Sequence, residues 1–320
     1  MAAMLTRILF LLLVTNLVFP LSAQSWYPRL VEDSYIASLD APQIVGKNRP
    51  YYLGPDEDLI RLAWRSGLGY KALLHANPGV DPWLPKPGTQ ITLPYSMILP
   101  AGLTEGITIN LAELRLYFIW EEDQQLRVRT YPISVGAEGL DTPEGLFSVK
   151  NRVQKPSWTA PASVREERPD GPLTVPPGPD NPLGDYWIGL SIPGYGIHGT
   201  NKPLGVGRRV SHGCIRLYPE DVKDLFPRVK VGTPVRIIYQ PIKMAVSGGV
   251  LLAEIHDDFL ERVGDPLNES LRLRHALDWK GPIDWPELEK ALQEARGIPL
   301  PISSPAESFA PLVLDAKVSY

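Results

Sequence analysis

The stretch Ser-His-Gly-Cys-Ile-Arg, residues 211–216, sets a cysteine beside a histidine and a glycine, the residue types of a nucleophile site. Its Cys214 is the only cysteine of the chain. A thiol with an ordinary pKa of about 8.5 is mostly protonated at neutral pH, so a nucleophilic cysteine needs a base or a positive charge nearby. We expect the base to be His198, which lies sixteen residues upstream at the predicted end of a strand.

The neighbours of Cys214 have distinct predicted roles. Gly213 gives the backbone freedom to turn, so that its own amide and that of Cys214 point at one oxyanion. His212 is expected to bond the backbone and hold this loop, and Ser211 to support it. Arg216 is expected either to support the loop through carbonyl groups or to bind a carboxylate of the substrate.

A zinc site is the alternative reading of the same residues. His198, His212 and Cys214 are all competent zinc ligands, and three such ligands with a water molecule would form a catalytic site. The spacing of the three residues does not exclude this alternative.

Composition limits the class of protein without naming its activity. Apolar residues make up 44% of the 320 residues and charged residues 21%, ordinary values for globular enzymes and binding proteins alike. With 34 prolines and 27 glycines, the chain is predicted to be mainly β and loop-rich, in two or three compact units. A net charge of −4 argues against a nucleic-acid partner.

The N-terminus has the pattern of a secretory signal peptide. Arg7 precedes an apolar run at residues 8–19 that is too short to span a membrane, and small residues precede a cleavage site after Ala23. We therefore expect an exported protein with no transmembrane segment after cleavage, a retained anchor being the alternative. A lone cysteine in an exported protein is either buried and inert or a free reactive thiol.

The rest of the chain divides into predicted segments. A signal peptide (1–23) and a lead-in (24–47) precede a unit with the order strand, helix, helix, strand (48–94) and a linker (95–105). A mainly β domain follows (106–240), then a C-terminal mixed or helical subdomain (241–297) and a disordered tail (298–320). Residues 155–182, rich in proline and charge, are predicted to have no regular structure and to act as a lid beside the site.

Residues 48–94 resemble a LysM module. The helix start Pro-Asp-Glu-Asp-Leu at residues 55–59 stands where such modules have Pro-Gly-Asp-Thr-Leu, and Asn-Pro-Gly at residues 77–79 also fits the pattern. The resemblance implies binding to the N-acetylglucosamine-containing glycan of the cell wall. A spacer that only packs on the next domain is the alternative.

Residues 106–239 resemble the YkuD-type, ErfK-like L,D-transpeptidases of bacterial cell walls. The resemblance rests on His-Gly-Thr at residues 198–200 and Ser-His-Gly-Cys-Ile-Arg-Leu at residues 211–217. It implies a β-sandwich-like catalytic domain that needs no metal or other cofactor. It also implies that the carbonyl of Gly199 helps to orient the ring of His198.

The resemblance implies a two-step acyl transfer in the periplasm. Cys214 would attack the diaminopimelate carbonyl of a tetrapeptide stem, release D-alanine and pass the acyl group to an amine. That amine would belong to a second peptidoglycan stem or to a lysine of an outer-membrane lipoprotein. Tyr195 and Trp187 are candidate walls of the substrate site.

Two alternatives to a transpeptidase stay open from the sequence. A hydrolase of the same family would use the same residues with water as the acceptor, acting as a carboxypeptidase or cleaving the lipoprotein link. A non-enzymatic protein would bind the wall through residues 48–94 alone.

Overall fold

The computed structural model describes residues 34–37 and 43–304. The predicted signal peptide, most of the lead-in and residues 305–320 of the predicted tail lie outside the described residues. Within the described part, no helix combines the length and the apolar composition needed to cross a membrane.

The N-terminal part contains the predicted order of strand, two helices and strand. Its elements are β1 (Tyr35–Ala37), β2 (Ile44–Val45), β3 (Arg49–Tyr52), α1 (Leu59–Arg65), α2 (Tyr70–Ala76), β4 (Gln90–Leu93) and β5 (Met97–Ile98). β3 pairs antiparallel with β4, and the two helices pack against this pair. We call residues 48–94 the N-terminal unit.

The acidic stretch before α1 starts the helix as expected. The Asp58 carboxylate accepts a hydrogen bond from the Arg61 amide at 2.7 Å, so it caps one of the helix's free N–H groups. Glu57 accepts the Gly54 amide at 2.8 Å and pairs with Arg65 at 2.6 Å. These bonds fix the turn into α1, whose Leu59 is fully buried.

The middle of the chain forms a mainly β domain, which confirms the predicted fold class. Its elements are β6 (Gly106–Asn110), β7 (Arg115–Glu122), β8 (Gln125–Pro132), β9 (Val135–Gly136), β10 (Gly145–Gln154), β11 (Trp158–Thr159), α3 (Ala162–Glu167), β12 (Thr174–Val175), β13 (Tyr186–Leu190), β14 (Gly196–His198), a 3-10 turn (Pro203–Gly205), β15 (Arg209–Ser211), β16 (Ile215–Arg216), α4 (Pro219–Arg228) and β17 (Pro234–Ile238). Nine of the described strands form one curled sheet in the order β1-β8-β7-β6-β17-β10-β13-β14-β16.

The main sheet is covered on both faces, and β7 shows this most clearly. Its Leu116 and Phe118 belong to the core that also contains residues of α4, while Tyr117 and Ile119 pack with Met97 and other residues of the N-terminal part. A strand buried on both faces is apolar at nearly every position rather than at every second one. A short turn after Glu122 connects β7 to β8.

Residues 95–105, predicted as a linker, are packed into the fold. Met97 pairs with Val45 and Ile98 with Ile44, so β5 and β2 form a small antiparallel ladder. Both Met97 and Ile98 are buried. The apolar character that suggested a linker instead reflects burial between the neighbouring units.

Residues 155–182, which we call the lid segment, contradict the prediction that no regular element forms there. They contain α3 and an antiparallel pair of β11 and β12. Prolines have no backbone N–H to donate, so the carbonyl groups of this segment need donors from elsewhere. The buried side chain of Asn181 provides one. It bonds the carbonyl groups of Pro156 at 2.8 Å and Pro176 at 3.2 Å.

The C-terminal part, predicted as a mixed or helical subdomain, contains two helices and a three-stranded sheet. Its elements are β18 (Ile242–Ser247), β19 (Val250–Ile255), α5 (Pro266–Ala276), α6 (Trp285–Glu294) and β20 (Leu300–Pro301). β18 and β19 form a hairpin through Gly248 and Gly249, both with positive φ. β20 pairs with β19, so the beginning of the predicted disordered tail is ordered.

A buried group of charges joins the C-terminal part to the rest of the molecule. The Lys243 ammonium lies 2.9 Å from Glu113 Oε2 and 2.9 Å from Glu254 Oε1, and it donates to the Ile98 carbonyl at 2.6 Å. All three charged side chains are almost fully buried. Lys243 lies on β18 and Glu254 on β19, both in the C-terminal part, and Glu113 lies in the turn before β7 of the mainly β domain. The one ammonium ion therefore links these two parts to each other and to β5.

The carboxylate of Glu254 is the titratable part of this group. Burial raises its pKa, but Lys243, the His256 imidazole and the Ile98 amide lower it more, to about 2. Because this folded-state pKa lies below that of an unfolded glutamate, Glu254 stabilises the fold above about pH 4.5, and the contribution is lost as the pH falls towards 2.

Replacing Lys243 with methionine leaves two buried carboxylates without their cation. We expect the free energy of unfolding to fall by about 3–5 kcal/mol in urea denaturation at pH 7. Lys290→Met is the matched control, because Lys290 is exposed on α6, and it should change the free energy by less than about 0.5 kcal/mol. Equal effects of the two substitutions would contradict the role given to Lys243.

Candidate active site

The register of two parallel strands places the predicted site residues on one face. β14 lies beside β16 with Ile197 opposite Ile215 and His198 opposite Arg216. Both isoleucines are fully buried in the core, and side chains alternate along a strand, so His198 and Arg216 point to the other face. Cys214 is two residues before Arg216 and therefore lies on the same side as His198.

These residues line one cavity of about 740 Å³. His198, Cys214, Arg216 and Tyr195 all contribute to its wall, and the lid segment forms the opposite side. Trp187, predicted as a wall of the substrate site, is not among the lining residues. It stacks on the His198 ring with centroids 5.8 Å apart, because Trp187 stands opposite His198 in β13.

The imidazole of His198 is held in one orientation and one protonation state. Its Nδ1 lies 2.6 Å from the Gly199 carbonyl, the contact that the sequence resemblance implied. A carbonyl only accepts, so Nδ1 carries the proton and Nε2 keeps a free lone pair. Burial and the charge of Arg216 lower the pKa of His198 to about 3, against the opposing effect of the carbonyls. The ring is therefore neutral at physiological pH.

The thiol of Cys214 is also neutral at rest. Burial raises its pKa, while the Gly196 amide and the Arg216 guanidinium lower it in part. Its Sγ lies 3.5 Å from the Gly194 carbonyl. A neutral thiol and a neutral imidazole on one face can react by proton transfer to the free Nε2, which is general base catalysis rather than a preformed ion pair.

The loop that carries Cys214 is closed by Ser211. The Ser211 hydroxyl donates to the Cys214 carbonyl at 2.6 Å and accepts the Gly213 amide at 3.2 Å. Gly213 has φ +100°, and a Cβ there would lie 2.7 Å from the Tyr195 ring. The expectation that both Gly213 and Cys214 amides face an oxyanion is therefore wrong for Gly213. The Cys214 amide has no acceptor among the described residues.

The side chain of His212 contradicts its predicted contact. Its Nε2 lies 3.1 Å from both carboxylate oxygens of Glu167, at the end of α3 in the lid segment, and not on loop backbone. Ser211 bonds the Cys214 carbonyl and the Gly213 amide of the loop, and the imidazole of His212 contacts the lid segment instead.

The zinc alternative has no geometric support in the described residues. The one group of three metal-competent side chains with ligand atoms within 4.8 Å of one another is Glu113, Glu254 and His256, so His198, His212 and Cys214 do not converge. In the Glu113 group the ammonium of Lys243 already bridges the two carboxylates.

Arg216 forms no bond from its guanidinium to loop carbonyl groups in the described part of the chain. Its Nε is buried without a partner, and burial lowers the pKa of the side chain. Of the two predicted roles, the geometry favours binding of a carboxylate over support of the loop.

Comparison with known proteins assigns the family. The pattern of the L,D-transpeptidase catalytic domain, named YkuD, matches residues 104–237. The chain is also 36% identical over 309 residues to the probable L,D-transpeptidase ErfK/SrfK of Salmonella typhimurium, with 92% of this chain and 95% of the relative covered. The chain belongs to the L,D-transpeptidase family. The resemblance of residues 106–239 to L,D-transpeptidases is thereby confirmed.

The chain is also similar to a second relative and to a solved structure. The probable L,D-transpeptidase YcfS of Escherichia coli is 41% identical over 233 residues, 70% of this chain and 72% of that protein. Among solved structures, the NMR structure of the catalytic domain from the E. faecium L,D-transpeptidase shows 26% identity and a TM-score of 0.33, covering 42% of this chain and 97% of that one.

Several residues of this L,D-transpeptidase site carried no signal in the sequence. Thr142 accepts the Gly136 amide at 3.0 Å and donates to the Gly213 carbonyl at 2.8 Å, yet it lies far from the cysteine in sequence. Glu167 reaches His212 from a segment expected to be irregular. Gly196 did carry a signal, because a glycine within a strand indicates a position where another group approaches the backbone closely. The amide of Gly196 faces the Cys214 thiol.

Replacing Arg216 with glutamine should move the alkylation profile of Cys214 to higher pH, because the guanidinium lowers the thiol pKa. The rate of reaction with iodoacetamide, followed by intact mass between pH 5 and 10, measures this. Arg216→Lys should shift the profile less, and Lys223→Gln, on an exposed helix position outside the cavity, not at all. His198, neutral above about pH 3, should add no step near pH 6.5. An unmoved profile in Arg216→Gln would contradict the electrostatic role.

Proposed function

We propose that the protein is an exported peptidoglycan L,D-transpeptidase in which Cys214 is the nucleophile and His198 the general base. The observation that carries the proposal is the shared face of β14 and β16, which brings a neutral imidazole with a free Nε2 and a thiol to one cavity. The family membership supplies the reaction class.

The first step forms a thioester. His198 Nε2 takes the proton of the Cys214 thiol, and the thiolate attacks the carbonyl carbon at the L-centre of diaminopimelate in a tetrapeptide stem. The amide of Cys214 donates to the oxyanion of the tetrahedral intermediate. The carbon–nitrogen bond then breaks, and His198 returns the proton to the amino group of the departing D-alanine.

The second step resolves the thioester. An acceptor amine gives a proton to His198 and attacks the carbonyl carbon, and the thiolate leaves and is reprotonated. An amine of a second stem forms a 3-3 cross-link, and a lysine of an outer-membrane lipoprotein anchors that protein. Water in the same position would make the enzyme a hydrolase, the alternative within the family.

Arg216 is proposed to bind a carboxylate of the donor stem. It stands on the same face as Cys214, two residues along the strand, and its guanidinium has no carboxylate partner among the described residues. At about 3.3 Å per residue, the two positions are separated by roughly 7 Å, about two residues of an extended peptide. Tyr195 forms part of the same wall.

The lid segment is proposed to close over the bound stem. The contact of His212 with Glu167 joins the loop of the nucleophile to α3, which has no buried residues of its own. A helix held mainly by such a contact can open without disturbing the core.

The N-terminal unit is proposed to bind glycan as a LysM-like module. Trp83 and Leu84 are 62% and 84% exposed on the loop after α2, and Tyr52 at the end of β3 is 65% exposed. The Asp81 carboxylate accepts the amides of Trp83 and Leu84 at 2.9 and 3.1 Å, which fixes the turn that presents them. Exposed aromatic faces of this kind suit a sugar ring.

Export to the periplasm follows from the same proposal. Residues 1–23 carry the signal pattern, and the proposed substrate is a polymer of the cell wall. A non-enzymatic wall-binding protein, the alternative from another class, would show the glycan binding without any product.

Mass spectrometry of products from the purified protein with tetrapeptide muropeptides and a lipoprotein peptide tests the reaction and identifies the acceptor. We expect Cys214→Ala to form no product and His198→Gln to act at least about 100-fold more slowly, because the general base is lost. His212→Gln should lose less, since its ring contacts the lid. Product from Cys214→Ala, or a larger loss in His212→Gln than in His198→Gln, would contradict the assignment.

Sedimentation with insoluble peptidoglycan tests the N-terminal unit. In a Cys214→Ala background, which prevents covalent attachment, Trp83→Ala should weaken binding about fivefold, equivalent to about 1 kcal/mol. Trp285→Ala, an exposed tryptophan in the C-terminal part, is the matched control and should bind normally. Unchanged binding in Trp83→Ala would favour the spacer alternative.

A further inference from the structure

The N-terminal unit meets the wall of the cavity through the first turn of α2. The amides of Tyr70 and Lys71 donate to the carbonyl groups of Val206 and Gly207, both at 3.3 Å. Gly69 precedes the helix and supplies no side-chain cap. The free N–H groups of this helix start are therefore satisfied by the segment that leads into β15.

The two units approach closely at this point. Gly207 has φ +84°, and a Cβ there would lie 2.2 Å from the Tyr70 nitrogen. A Cβ on Gly69 would lie 3.1 Å from the Gly207 Cα. Nearby, the Tyr218 hydroxyl donates to the Leu68 carbonyl at 3.0 Å, so the contact extends to the start of α4. The N-terminal unit is thus fixed against the cavity wall.

Arg208 follows this contact and lines the cavity. Its guanidinium carbon lies 3.9 Å from the centre of the Tyr70 ring, a cation–π geometry. Its Nε is buried without a partner, and no carboxylate among the described residues pairs with it. The aromatic face holds the long side chain while leaving the charge available to a ligand.

The charges around the cavity favour an anionic ligand. Five cationic side chains line it, from the lid segment, the 3-10 turn region, the residue before β15, and β16: Arg165, Arg168, Lys202, Arg208 and Arg216. The lining acids are Glu167 and Asp180, and Glu167 already contacts His212. A peptide with free carboxylates complements this surface better than an amidated one.

We propose that Arg208, held in place by Tyr70 of the N-terminal unit, is a further substrate-binding residue that recognises a free carboxylate of the donor stem. Tyr70 is then a positioning residue, and the N-terminal unit supports one wall residue of the substrate cavity in addition to any glycan binding. This inference rests on the proposed transpeptidase function.

The test compares two donors with the full chain. One is a tetrapeptide stem with the free carboxylate at the D-centre of diaminopimelate, and the other is the same peptide amidated there. Arg208→Gln should raise KM for the free carboxylate about tenfold and for the amide less than about twofold, with kcat unchanged, because one charge-assisted hydrogen bond is lost. Arg208→Lys keeps the charge, so its KM for the free-carboxylate donor should lie between those of the wild type and Arg208→Gln.

Variants of Tyr70 test whether its ring positions Arg208. Tyr70→Ala should raise KM for the free carboxylate about threefold, and Tyr70→Phe, which keeps the stacking face, should match the wild type. Melting temperatures identify variants that do not fold, and the two Arg208 variants then decide the question. An equal effect of Arg208→Gln on both donors, or equal effects of Tyr70→Phe and Tyr70→Ala, would overturn the inference alone. A wild-type protein that reacts with neither donor would overturn the proposed function as well.

Discussion

The parallel pairing of β14 with β16 is the constraint on which the site depends. Because Ile197 and Ile215 are opposite each other and both fill the core, His198, Arg216 and Cys214 must share the outer face. A slip of one residue would turn His198 into the apolar core and the two isoleucines towards the cavity, at the cost of the apolar contacts of two core residues. The same hydrophobic residues that stabilise the sheet therefore align the proposed nucleophile and base.

Burial sets the chemistry of these groups as well as their position. It disfavours the charged form of both the imidazole and the thiol, so the resting pair is neutral and the charge appears only during reaction. The cation of Arg216 remains close to both. The lid segment lines the cavity around them, so these groups lie among fixed dipoles rather than in bulk water.

The sequence predicted those features that follow from local residue patterns. The nucleophile loop, the strand ending at His198, the helix after Asp58 and the two C-terminal helices all have signals within a few residues. The missed features depend on partners distant in the chain. β18 contains the buried Lys243, which breaks the expected alternation, and its charge is acceptable only because Glu113 and Glu254 fold against it. The lid segment is ordered by Asn181, and no spacing in the sequence announces that bond.

The residue that carries the acyl group during turnover shows whether Cys214 is the nucleophile. The full chain is mixed with a tetrapeptide stem, quenched in acid within the first turnover, digested and analysed by mass spectrometry. We predict an adduct with the mass of the stem without its D-alanine, on the peptide that contains Cys214, and its release by hydroxylamine as expected for a thioester. Formation of product with no adduct on Cys214, or an adduct on another residue, would contradict it.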